Sequence, residues 1–203
     1  MNQKQLEKMN RQESILRSLK MLDFLTRSQI QRIHDLKSDR NAQRVLKQME
    51  EYLNVIKDGE YIYYLNAKGR ELVDCNKVRK RTGNVQHYIM RNHLYIAFRC
   101  PKTWLNERRI ISKSVSGKEE IKCVADAVFM KGDAHCIVEV DNTQTMKRNE
   151  KKIEKYRILR QRNSFGMMAP HFIWITTTEH RRKELIELHK GLNIQVFTVA
   201  DFI

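Results

Sequence analysis

Polar and apolar positions alternate with a helical period through the first part of the chain. In "ESILRSLKMLDFL" Ile15, Leu16, Leu19 and Leu22 recur at spacings of three and four, and in "TRSQIQRIHDL" Ile30, Ile33 and Leu36 do the same. Thr26 stands where an N-cap belongs, its oxygen placed to accept from the free N–H groups of the second helix. A third period starts at Ser38. There "SDRNAQRVLKQMEEYL" turns Ala42, Val45, Leu46, Met49 and Leu53 to one side, and Arg40, Asn41, Gln43, Arg44 and Lys47 to the other. Two short apolar segments around Asp58-Gly59 then predict a hairpin, with Lys57 at its tip and Tyr61, Tyr63 and Tyr64 on its second strand.

Residues 75–83, "CNKVRKRTG", are basic and lack any apolar period, so they mark a boundary: a first domain over 1–76, a linker over 77–83 and a second domain over 84–203. The second domain opens with a helix in "GNVQHYIMRNHLYIAFRC", closed by Pro101. A strand "TWLNERRIISK", a polar turn "SVSGKEE" and two strands, "KCVADAVFM" and "HCIVEVD", joined by a hairpin at 131–134, come next. A long basic helix "TMKRNEKKIEKYRILRQR", a buried strand "HFIWITTT", a helix "EHRRKELIELHKG" and a last strand "IQVFTVADF" complete the order. A meander of three antiparallel strands continued by two strand–helix crossovers predicts a mixed sheet flanked by helices, an α+β or α/β domain.

Composition narrows the partners. Lys and Arg number 39 against 24 Asp and Glu, a formal charge of +15 spread over both halves. That balance favours a polyanion, either nucleic acid or an acidic membrane surface. No apolar run approaches the roughly 20 residues that span a bilayer, and the N-terminus "MNQKQLEKMNRQE" is polar, so the expectation is a soluble, cytoplasmic protein. Cys75, Cys100, Cys123 and Cys136 show no metal-binding spacing and read as reduced thiols. His87 and His93 are not at the i, i+4 spacing of a metal pair, and His180 and His189 lie on a basic helix, so packing or surface roles suit all four. The chain contains no Gly-rich phosphate loop, dinucleotide fingerprint or nucleophile elbow.

One stretch does not fit a plain core. "CVADAVFMKGDAHCIVEVDNTQ" sets Asp126, Glu139 and Asp141 inside strands that otherwise read as buried. Buried acids cost several kcal/mol unless paired, hydrogen-bonded or bound to a cation. Period two puts Glu139 and Asp141 on one face, and a hairpin at 131–134 brings Asp126 back opposite Glu139. Three converging carboxylates are the ligand type that Mg²⁺ or Mn²⁺ prefers, with Glu107 on the preceding strand as a fourth candidate. The competing reading pairs these acids with the chain's own Lys and Arg, with Asp141 in a helix-capping region.

Residues 12–75 resemble the winged-helix domain of many bacterial regulators, in which the hairpin is the wing and the third helix enters a major groove. That resemblance implies DNA contacts from Arg40, Asn41, Gln43, Arg44, Lys47 and Lys57, although winged helices also serve as protein-interaction modules. The second half resembles the restriction-endonuclease-like, or PD-(D/E)xK, core. There the family's acid-x-lysine pair falls on Glu139-Val140-Asp141, so its lysine position holds Asp141. Lys147, Lys151 or Lys152 on the next helix, or Arg109, would have to replace it, and His87 or Gln86 the missing first-helix acid.

The whole chain is also similar to the replication-relaxation proteins of plasmids and other mobile elements. The similarity rests on the N-terminal half, "VQHYIMRNHLYIAFR", Trp104 with Glu107, "ADAVF", "VEVDNTQT" and "EKKIEKY". It implies a DNA-binding protein of replication or maintenance with a degenerate nuclease-like domain, and a possible replication-protein partner or homodimer. No coiled-coil repeat enforces a dimer. The rival reading is a Mg²⁺- or Mn²⁺-dependent nickase or endonuclease that uses Asp126, Glu139 and Asp141 with Lys147 or Lys152. A third is an adaptor that binds protein.

Overall fold

The three amphipathic periods of the first half become helices α1 (Gln3–Leu22), α2 (Arg27–Ile33) and α3 (Asp39–Lys47). They belong to a computed structural model that describes residues 2–113, 120–166 and 168–202 and divides between Ile96 and Ala97 into two units. Helix α1 starts at Gln3, well before the apolar period, because Asn2 and Gln5 close a reciprocal capping box at 2.9 and 3.0 Å. Its first turns are exposed, which is why no apolar stripe announced them. Thr26 caps α2 as its sequence position predicts, again through a capping box, with Gln29.

Strand β1 (Leu25–Thr26) pairs with β3 (Glu60–Leu65), and β3 with β2 (Leu53–Asp58), giving a three-stranded sheet in the order β1-β3-β2. Two residues are too short to carry a period, so β1 was not predictable. The β2–β3 hairpin turns at Gly59, whose φ of +70° suits glycine. Leu53, expected on the third helix, instead opens β2 after a 3-10 turn over Glu50–Tyr52. In α4 (Ala67–Leu72) a Cβ on Gly69 would lie 2.2 Å from the Tyr52 carbonyl oxygen, a close approach that only glycine allows.

Helix α5 (Val85–Ala97) follows the basic stretch and packs with the first unit. Val85 and Ile89 pack with Phe24, Ile56 and Ile62 of the first unit. Gln29 donates to the Ile89 carbonyl at 2.9 Å, and Asn92 donates to the carbonyls of Leu22 and Phe24 at 3.0 and 2.7 Å. Arg91, 1% exposed, donates to the Leu22 carbonyl at 3.0 Å and to Asp23 at 3.1 Å. The helix therefore supplies donors that the first unit needs where α1 ends, and it falls before the division of the chain rather than after it.

The second unit holds a five-stranded sheet ordered β4-β5-β6-β7-β8: Leu105–Lys113, Glu120–Lys131, Ala134–Asp141, His171–Thr176 and Ile194–Thr198. The first three strands are antiparallel and the last two join in parallel, the mixed sheet that the element order predicts. All but the last residue of the expected "SVSGKEE" turn lies outside the described residues. Helices α6 (Met146–Gln161) and α7 (Glu179–Leu188) make the parallel crossovers and bury Ile153, Tyr156, Leu159 and Leu185 against Cys123, Ala125, Ile137, Phe172 and Trp174. On the opposite face Trp104 stacks on Phe129 at 5.5 Å, and Phe98 meets Phe129 at 5.1 Å. Among the described residues no helix is long and apolar enough to cross a membrane.

Candidate functional site

The β5–β6 ladder is paired from Lys131↔Ala134 as far as Ala127↔Val138. One residue further, the Asp126 carboxylate takes the place of backbone and accepts the Val140 N–H at 2.7 Å. On its other side, the β4–β5 register steps over the facing position, Glu107, whose φ of +51° is in the left-handed region. A non-glycine residue held there inside a strand stores backbone strain, a feature that concentrates at functional sites. The sheet is thus distorted where Asp126 comes beside Glu139.

Glu139 is 1% exposed and points at α6. Its Oε2 accepts from the Lys152 ammonium and its Oε1 from the Tyr156 hydroxyl. Burial pushes the Glu139 carboxyl up to about 8, with Lys152 pulling it down and Asp126 adding to the rise. Burial on its own would lower Lys152, but the charges of Glu139 and Asp126 prevail and raise it. Tyr156 is also raised, by burial and then by Glu139 and Cys123. The neighbouring Cys123 thiol is pushed up by burial, which leaves it a poor nucleophile. The cluster is built to hold protons.

Asp141, fully buried, forms a separate group. Arg181 of α7 grips both its oxygens at 2.7 Å, Thr176 donates to Oδ2 at 2.6 Å and Asn149 to Oδ1 at 2.8 Å. Burial would raise this carboxyl, but the hydrogen bonds from Arg181, Thr176 and Asn149 outweigh it and hold it below the usual range.

The expected convergence of Asp126, Glu139 and Asp141 on one cation is therefore not what their side chains do. Lys152 and Tyr156 occupy both Glu139 oxygens, and Asp141 is saturated by four donors. Among the described residues no group of three His, Cys, Asp or Glu side chains is placed to hold a metal ion. With their oxygens engaged in this way, the three carboxylates present no shared set of ligands to Mg²⁺ or Mn²⁺.

Of the lysine candidates, Lys152 reaches the acids, while Lys147 and Lys151 stay exposed on α6. Arg109 is exposed on β4, and Gln86 donates to Asp58 at 2.9 Å in the first unit. Burial lowers His93 and His189 to about 4, so both are neutral packing residues. Tyr156, Asn149, Thr176 and Arg181 escaped the sequence reading. Asn149 alone carried a signal, a polar residue on the apolar stripe shared with Ile153 and Tyr156.

In the first unit, α3 buries Ala42, Val45 and Leu46 and leaves Arg40, Gln43, Arg44 and Lys47 exposed. Asn41 is tied inward: it donates to the Leu36 carbonyl at 2.7 Å and accepts from Arg44 at 2.8 Å. Lys47 pairs with Glu50 at the surface, and Lys57 is exposed on β2.

A profile of replication-relaxation proteins matches residues 16–169. The chain belongs to the replication-relaxation family. The match runs across both units, taking in α3, α5 and the Glu139–Lys152 pair, and stops short of α7 with Arg181. No curated protein matches the chain. Among solved structures it is similar to protein VC1899 from Vibrio cholerae, at 9% identity and a TM-score of 0.38, over 91% of this chain and 47% of that one. This replication-relaxation chain thus spans about half the length of that protein.

Proposed function

We propose that the protein binds duplex DNA through its first unit, in the replication or maintenance of a plasmid or related mobile element, and that its second unit is a nuclease-like fold without working metal chemistry. The observation that carries the first part is the order α1-β1-α2-α3-β2-β3 with a capped α3 whose outward face is basic. This is the order of a winged helix, with β2–β3 as the wing and α3 in the position of a recognition helix. Arg40, Gln43, Arg44 and Lys47 offer donors suited to base edges and phosphates. Two observations support the second part: Lys152 and Tyr156 take up both Glu139 oxygens, and Arg181 holds the residue at the lysine position, Asp141.

A labelled duplex titrated at low salt tests the first part. Binding should be measurable, should weaken steeply with salt, and should drop at least tenfold in Arg40→Ala/Arg44→Ala. Affinity unchanged in that variant would refute the role of α3. One observation favours a nickase as a second reading, since Lys152 supplies beside Glu139 and Asp126 the lysine absent from β6. Supercoiled plasmid incubated with Mg²⁺ or Mn²⁺ decides it. The proposal expects no nicking, and nicking by wild type that disappears in Glu139→Ala would establish the enzyme.

A further inference from the structure

The charges of α6 are sorted by flank. Arg148, Lys151, Lys152 and Lys155 recur at three- and four-residue spacing, which places them along one side, and Glu150 and Glu154 fall on the other. Farther along, Arg157 and Arg160 are engaged with the carbonyls of Leu188, Lys190 and Gly191, where they tie α6 to the end of α7. Arg148, Lys151 and Lys155 are exposed, and among the described residues none of them has an ion pair or side-chain hydrogen bond. Such a row repels itself, and intrachain packing gives no reason for it.

Lys152 fixes the direction of this flank, because it descends from the same row to Glu139 on β6. Lys155 acts electrostatically on Cys123 of β5. The free cations therefore border the distorted part of the sheet, where Asp126 and Glu107 face each other. From residue 148 to residue 155 a helix rises roughly 10 Å. Successive phosphates of one duplex strand advance about 3.4 Å along the axis while winding around it, so three long side chains spread over this rise can reach neighbouring phosphates of one strand.

The geometry points to this flank as a second nucleic-acid surface, on which Arg148, Lys151 and Lys155 hold consecutive phosphates of one duplex strand independently of α3. The inference rests on the DNA-binding reading only for the nature of the polyanion. It requires neither base recognition nor catalysis, because lysine and arginine on an exposed helix flank contact phosphates without reading sequence.

The test is fluorescence anisotropy of a labelled mixed-sequence duplex against the full chain over a salt series. Wild type is run beside Arg148→Gln/Lys151→Gln/Lys155→Gln, Arg40→Gln/Arg44→Gln, and a charge-matched control, Lys4→Gln/Lys8→Gln/Lys190→Gln. The α6 variant should lower the slope of log affinity against log salt by about 2 to 3, since each lost contact removes about 0.9. The control should leave the slope near wild type. An α6 variant indistinguishable from the control overturns the inference, while a loss confined to the α3 variant leaves the function proposed above intact. Absence of duplex binding by wild type at low salt defeats both. Poly-glutamate competing as well as unlabelled duplex would overturn the inference in favour of an acidic protein partner. Because all three side chains are exposed, circular dichroism of the α6 variant should match wild type, which separates a lost contact from a lost fold.

Discussion

Each unit buries an acid against a base, and the two pairs are built differently. In the first unit Asp23, at 3% exposure, meets the fully buried Arg91 at 3.1 Å and Arg79 at 2.8 Å, with Lys77 at 3.8 Å. Arg91 and Asn92 also satisfy the carbonyls at the end of α1, so the charges sit inside a mesh of backbone hydrogen bonds. In the second unit Glu139 meets a single flexible lysine and a phenol, beside a strand pairing interrupted by another acid. Arg91 joins chain segments that are distant in sequence; the Glu139 cluster holds protons at a flaw in a sheet. A buried acid is thus no sign of chemistry until its partners are known.

The contrast can be broken by substitution. Arg91→Ala should have the largest effect, about 3–5 kcal/mol lost in urea unfolding, because it empties the space of a fully buried side chain, takes from Asp23 its buried partner and leaves the Leu22 carbonyl with Asn92 alone. Lys152→Met should cost less, roughly 1–3 kcal/mol, since Glu139 already favours its neutral form and Tyr156 still donates to it. Equal losses in the two variants would mean that Glu139 depends on the Lys152 charge as fully as Asp23 does on Arg91.

The smallest effect separates the two by pH. Glu139 is raised in the folded protein, so its contribution to stability is fully present below its ordinary value of 4.5 and is lost as pH rises through about 8. From pH 6 to pH 7 wild type should therefore lose stability relative to Glu139→Gln, by at most about 1.4 kcal/mol. Parallel curves would show that the glutamate keeps its charge. Asp141, lowered by its donors, acts in the opposite direction: its contribution holds above pH 3.8 and fades only as pH falls below that.

Much of this was legible in the chain. Period-two runs, a Gly-centred turn and two helical crossovers gave the five-stranded sheet its strands and its mixed order, and the capping residue Thr26 located α2. Amphipathic spacing shows that α5 has an inward face but not which core receives it. The acids of β5 and β6 stood out because charge within an apolar run is costly. Their partners did not: Lys152 looked like one lysine among several, Tyr156 like a core aromatic, and Arg181 lies 40 residues from the aspartate it grips. Asp23 was hidden by its apolar neighbours in "MLDFL". Pairing across the sheet and between helices is set by three-dimensional register, which a one-dimensional pattern does not contain.

The attachment of α5 to the end of α1 bears on any attempt to study the two halves apart. A cut after residue 83, at the basic stretch that looks like a linker, would remove the side chains that serve the carbonyls of Leu22 and Phe24 and would leave Asp23 without Arg91. A cut after Ile96 keeps those bonds within one piece. The contacts of this polypeptide divide at the end of a helix, thirteen residues past the stretch whose composition suggests a linker.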